Sequence, residues 1–268
     1  MPAPVPTAAP PAYFERVDPG RFRATEHTGG AWSVTEQHIS PLTGLLVHAV
    51  DRFVAERGAD GLVTARIAFD ILGVVPIAEV DVSVEVVRPG RTIELLEAVA
   101  LSGGRAVLRA RAWRLARHDT AAVAGGHPDP LPPPDRLASA QLSGVWPGGY
   151  IASLDVRPLS APEPGRGTVW LATSVALVAD EPVSELARFV GLVDTANGIA
   201  VRRSPKEWMF PNVDLTIHLH RQPAGPWVGL DTTVVFGPDG SGLTTTVLHD
   251  RTGAVGRAEQ LLTVRPLT

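Results

Sequence analysis

The chain has 268 residues, 44% hydrophobic and 19% charged, with a formal net charge of −4. It carries no run of like charges, which argues against a nucleic-acid or anionic-membrane partner. The absence of cysteine removes disulfides, thiolate nucleophiles and Cys-based zinc sites together and fits a cytoplasmic protein. No apolar run approaches the roughly 20 residues that span a bilayer.

The N-terminus, MPAPVPTAAPPAYFERV, has no positively charged region and reads as a polyproline-like tail rather than a secretory signal. FRATEHTGGAWSV (22–34) reads as strand-like segments broken at Gly29-Gly30. HISPLTGLLVHAVDRFVAER (38–57) predicts a helix with an apolar stripe through Leu42, Leu45, Leu46, Ala49, Val50 and Phe53. Ser40-Pro41 offers its N-cap and N1 pair, and Gly58 its stop. LVTARIAFDIL, AEVDVSVEVVR, TIELLEAVAL and RAVLRARAWRL then predict strands, with RPGR and SGGR as glycine-bearing turns.

Residues 121–148, rich in Pro, Gly and Ser, read as a linker. Beyond it the plan repeats. YIASLDVRPL and GTVWLATSVALV predict strands, and EPVSELARFVGLVDTANGIAVRR (181–203) predicts one helix. VDLTIHLHR, WVGLDTTVVFG, GLTTTVLHD and AVGRAEQLLTVRP predict further strands, joined at PDGS and DRTG. A repeat this long is a domain duplication rather than a solenoid. It divides the chain into units 12–120 and 149–268, each an α+β arrangement of one helix and an antiparallel meander.

Chemistry-bearing candidates follow from the faces. In NVDLTIHLHR, Val213, Leu215, Ile217 and Leu219 share one face, and Asp214, Thr216, His218 and His220 the other. Asp is disfavoured in strands, so Asp214 is either an Asx cap after Pro211-Asn212 or a functional carboxylate. Gln260 shares a face with Ala258 and Leu262, and Thr232 and Thr233 lie in a strand where Thr is simply a good β-former. Asp194 falls on the buried stripe of its helix and needs a partner. Thr195 and Asn197 stand beside it, Arg188, Arg202 or Arg203 can reach it only if the fold brings them close, and a structural bond from helix to sheet is the preferred reading. His218 and His220 lack the further ligands of a metal site, and His48 reads as a satisfied core-edge histidine. GPDGSG lacks the strand–helix context of a phosphate loop.

NVDLTIHLHRQP with Trp227 shortly after, the hairpin ending LHDRTG, and the closing AVGRAEQLLTVRP resemble the acyl-CoA thioesterase II-like family of double hotdog proteins. The likeness runs from about Phe14 to Pro266. It implies a double hotdog, two antiparallel sheets each wrapped around a long central helix. It also implies an enzyme of lipid metabolism that hydrolyses an acyl-CoA to free acid and CoA. In that family an Asp, a Thr or Ser and a Gln position the attacking water, which carries over to Asp214, Thr232 or Thr233, and Gln260. Asp194 resembles an Asp that members carry in this helix. In related hotdog proteins a helix start polarises the carbonyl, which points to Ser40–Gly44 and Val183–Arg188; the resemblance implies that Gly44 and Asp194 contact substrate. Thr64-Ala65 stands where the second half has Asp214, so a single, asymmetric site is expected. No cofactor or metal is implied, and the expected partner is the acyl-CoA, with a homodimer or higher homo-oligomer left open. The alternative is a non-catalytic acyl-CoA or acyl-group binding module. A hotdog dehydratase would need an Asp-His run at a helix start, and neither helix has one.

Overall fold

A computed structural model describes residues 11–58, 61–161 and 163–267; the tail before residue 11 lies outside the described residues. The first half forms β1 (Ala12–Asp18), β2 (Arg21–Ala24), α1 (Ile39–Glu56), β3 (Leu62–Ile71), β4 (Glu79–Arg88), β5 (Ile93–Ser102) and β6 (Arg105–Ala116). The second begins with α2 (Gly149–Ala152), β7 (Leu154–Pro158), β8 (Arg166–Thr173) and β9 (Ala176–Val178). It continues with α3 (Glu185–Val193), α4 (Ala196–Ile199), β10 (Trp208–Met209), β11 (Asp214–Leu219), β12 (Val228–Phe236), β13 (Ser241–Asp250), β14 (Gly253–Thr263) and β15 (Arg265–Pro266).

Two sheets were expected; among the described residues the strands instead make one, thirteen strands wide, in the order β7-β8-β12-β13-β14-β11-β3-β6-β5-β4-β2-β1-β9, with β10 and β15 as a separate ribbon. The halves fuse where β11 pairs antiparallel with β3, placing Asp214 opposite Asp70 and His218 opposite Arg66. This pairing satisfies two strand edges that separate sheets would leave with unpaired N–H and C=O groups. At the far margin β9 pairs parallel to β1, Ala176 opposite Ala12.

The helices cover the inner face of this sheet. The α1 stripe is buried at Leu42, Leu45 and Leu46. Its N-cap is His38 rather than Ser40: the imidazole Nδ1 accepts the Ser40 N–H at 3.1 Å, so Ser40 and Pro41 fall inside the first turn. The helix expected over 181–203 is two shorter ones. Ser184 caps α3 by accepting the Ala187 N–H at 3.0 Å. At the other end Asp194, Thr195 and Asn197 each direct a short polar side chain to a neighbouring element, which competes with helical geometry. The start of YIASL is a helical turn, α2, because Gly148 and Gly149 press on the backbone of residues 26–30 and the Tyr150 N–H donates to Gly29 O at 2.9 Å. His48 is buried on α1 with Nε2 3.0 Å from Glu181 Oε2. Glu181 also takes Arg16 and Arg52, tying α1 to the β9–α3 connection.

α1 and α3 run antiparallel and cross at glycines. A Cβ on Gly44 would sit 2.9 Å from both Ala187 O and Gly191 Cα, whereas one on Gly191 would meet nothing nearer than 3.6 Å. Gly44 therefore serves helix packing. Gly44→Ala should lower stability by about 1–3 kcal/mol, despite the better helix propensity of Ala. Gly191→Ala should be neutral or stabilising. Urea denaturation midpoints, at unchanged slope, check the contrast.

Candidate active site

The antiparallel crossing brings the C-terminal end of α3 to the first turn of α1. Asp194 is the C-cap of α3 and only 6% exposed. Across from it, alternation along β14 turns Gln260 inward, buried between Ala258 and Leu262. Gln260 Nε2 donates to Asp194 Oδ1 at 2.9 Å, and Asn212 Nδ2 donates to the same oxygen at 2.7 Å. Asn212 Nδ2 also donates to the Asp214 carbonyl at 3.0 Å, which fixes the orientation of the amide. The partners of Asp194 are thus two amides, one of them on β14, and not Arg188, Arg202 or Arg203.

Asp194 Oδ1 is anchored and Oδ2 is left facing His38, whose Nδ1 lies 3.7 Å away. That nitrogen already accepts the Ser40 N–H, so it has no proton to offer and the contact is not an ion pair. Burial pushes Asp194 up to about 6, against the opposing pull of the Asn212 and Gln260 amides. The end of α3 adds negative potential and the start of α1 positive potential.

Asp194 and Asn212 border a cavity of about 350 Å³, within the usual range for small-molecule pockets. Trp32, Ile39, Ile71, Val75, Leu142 and Trp146 give it an apolar wall. The Trp32 and Trp146 rings meet edge to face at 5.0 Å, and the Trp146 indole N–H is tied to Gly198 O at 2.9 Å. Among the described residues no three His, Asp or Glu side chains gather as a metal site, and no helix is long and apolar enough to cross a membrane.

The other sequence candidates lie elsewhere. Asp214 stands on the outer face of β11 and its Oδ1 accepts the Leu261 N–H at 2.6 Å. It fills a gap in the ladder between β11 and β14. Thr232 is fully buried, 3.0 Å from Thr246 Oγ1, and Thr233 is exposed. Neither Thr borders the cavity, nor does Gly44. Two site residues had not been singled out: Asn212, noted only as part of the Pro-Asn break, and His38, noted only as the first residue of a helical segment. Thr244 is also notable, since it lies directly opposite Gln260 in register. Its Oγ1 and Gln260 Oε1 are both buried without a partner among the described residues.

A raised carboxyl pKa implies a pH-dependent penalty. Below pH 3.8 both folded and unfolded states hold the proton; between there and about 6 only the folded state does, so stability falls as pH rises. The shift corresponds to about 3 kcal/mol above pH 6. Asp194→Asn, which keeps an acceptor for both amides, should be more stable than the parent by roughly that amount at pH 8 and no more stable at pH 3.5. Paired denaturation curves measure the difference.

Comparison with known proteins identifies the family. The acyl-CoA thioesterase N-terminal domain matches residues 28–115, and the acyl-CoA thioesterase C-terminal domain matches residues 127–264. No curated protein matches the chain in sequence. Among solved structures, a protein assigned as a thioesterase from Novosphingobium aromaticivorans DSM 12444 is 20% identical, with 94% of this chain and 98% of that one covered at a TM-score of 0.71. Acyl-CoA thioesterase II TesB2 from Mycobacterium marinum is 16% identical, with 95% of each chain covered and a TM-score of 0.66. A conserved hot dog fold protein of unknown function from Alicyclobacillus acidocaldarius is 12% identical, covering 94% and 96%, at 0.69. At these identities the structures establish a hotdog-type fold, and the two domain matches, spanning most of the sequence, establish that the chain belongs to the acyl-CoA thioesterase family of thioester hydrolases.

Proposed function

We propose that the chain hydrolyses the thioester of an acyl-CoA to free acid and CoA, with Asp194 activating the attacking water. The observation that supports this is the buried carboxylate whose Oδ1 is held by Asn212 and Gln260 while Oδ2 remains available beside an apolar cavity. The acyl chain lies against the Trp32–Trp146 wall. A water on Oδ2 loses a proton to Asp194 as its oxygen bonds to the carbonyl carbon. The carbon–sulfur bond then breaks, and the proton on Asp194 passes to the departing thiolate. The role expected for Asp214 thus falls to Asp194, and the partner sought at Thr232 or Thr233 is Asn212. Asp214 braces the start of β11, and its carbonyl accepts from the Asn212 amide just ahead of that strand.

The developing oxyanion is served by the first turn of α1. There Ser40 N–H is taken by His38 and Pro41 has no N–H, which leaves the Ile39 N–H. The start of α3 is at the other end of a nine-residue helix, about 14 Å from Asp194, and takes no part. Two hotdog units, 12–120 and 149–268, joined by the 121–148 segment, account for a single site. The first unit supplies the helix start and the second supplies Asp194, Asn212 and Gln260.

Hydrolysis of an acyl-CoA panel, followed by thiol release, tests the assignment. Asp194→Ala should lower kcat/KM by about 10²–10⁴-fold, with smaller losses for Asn212→Ala and Gln260→Ala. Asp214→Ala should keep turnover within a few-fold and lose about 1 kcal/mol of stability. Because the base must be ionised, kcat/KM should rise with pH through about 6 and then level off. Undiminished turnover by Asp194→Ala, or acyl-CoA binding without cleavage by the parent, would overturn the proposal.

A further inference from the structure

His38 borders the cavity beside Asp194, and only one side of its ring is accounted for by the fold. Nδ1 accepts the Ser40 N–H at 3.1 Å, so the ring proton resides on Nε2. The ring lies against Tyr150, centroids 4.3 Å apart, and Tyr150 is itself held by a 2.6 Å hydrogen bond to Thr195 Oγ1. Orientation and tautomer are therefore both fixed before any substrate arrives. The side chain keeps 12% of its surface open, and Nε2 makes no hydrogen bond among the described residues.

We infer that His38 is a catalytic residue whose Nε2–H donates to the thioester carbonyl oxygen and then to the oxyanion, as a second donor alongside the Ile39 N–H. The inference rests on Asp194 as the base. A water one hydrogen bond from Asp194 Oδ2 and a carbonyl oxygen one hydrogen bond from Nε2 can meet in this corner of the cavity, each bond about 2.6–3.2 Å. Burial holds His38 down to about 3, so the imidazole stays neutral. A neutral donor is what the site requires, because a charged imidazolium would pair with Asp194 and remove its basicity. His38 is not a second base, since its lone pair is engaged by Ser40. It is not the acid for the leaving sulfur either, since Asp194 carries the transferred proton. The ring thus contributes a preorganised dipole and no proton.

Two substitutions separate this role from the N-cap. His38→Asn keeps a short acceptor for the Ser40 N–H, a good N-cap, and lacks the distal donor. His38→Gln keeps an N–H near the position of Nε2 and lacks the short cap. The expected result is that His38→Asn retains near-parental thermal stability while kcat falls about 10²–10³-fold with little change in KM. His38→Gln should be less stable yet recover at least tenfold of the lost kcat. Binding supplies the second readout: His38→Asn should weaken a trifluoromethyl-ketone analogue of the acyl-CoA, which takes up a tetrahedral form, and leave a thioether analogue without a carbonyl oxygen unchanged. Parental kcat in His38→Asn, or a kcat loss that follows stability across both variants, overturns the inference. If Asp194→Asn is inactive in the same assay while His38→Asn is fully active, only the His38 donor fails. If Asp194→Asn is fully active, the underlying mechanism fails with it.

Discussion

The close antiparallel contact of α1 with α3 is the constraint on which the site depends. Gly44 allows the helices to approach until a Cβ would strike the Ala187 carbonyl oxygen, and Thr43 Oγ1 reaches Val190 O at 3.2 Å across the same seam. Because the helices run in opposite directions, the carbonyl end of α3 is delivered to the amide end of α1. A carboxylate at the first, and the Ile39 N–H with the His38 ring at the second, then face one another over the inner surface of the sheet. Wider separation or parallel packing would leave Asp194 without the α1 terminus and the cavity without its roof.

That arrangement places an acid where its charge is poorly accommodated. Among the described residues no cation is bonded to Asp194, and it sits at the helix end of unfavourable polarity. Two neutral amides hold it without neutralising it. An arginine in their place would have stabilised the charge and weakened Asp194 in the basic role proposed for it. The geometry therefore favours reactivity over stability, as is common for groups with perturbed ionisation in clefts.

Much of the local structure was legible in the residues. The 3.6-residue stripe of α1 and the alternation in β3, β6, β11 and β14 are periodic patterns that burial enforces directly, and they turned Gln260 toward Ala258 and Leu262. What was not legible depended on long-range packing. Asp214 and Asn212 are two residues apart, and only the position of the α3 terminus gives Asn212 its partner. The break at Asp194 was hidden because Val193, Ala196 and Ile199 continue an apolar helical rhythm through it. Thr232 and Thr233 drew notice as hydroxyls near the expected spacing, while Thr244, opposite Gln260, looked like one of three threonines in a strand. The fused sheet was also invisible to periodicity, since a strand with one buried face reads the same whether its edge is paired or free.

The ladder between β3 and β11 has a consequence for how the chain is made. Asp70 and its partner Asp214 are separated by more than half of the sequence. At a synthesis rate of roughly 5–20 residues per second, the β3 edge emerges on the order of ten seconds before the strand that will cover it. Until then it is an open template for pairing with a neighbouring chain. Arg66 and Asp70 put charge on that edge, a feature that discourages pairing with a foreign strand during the interval.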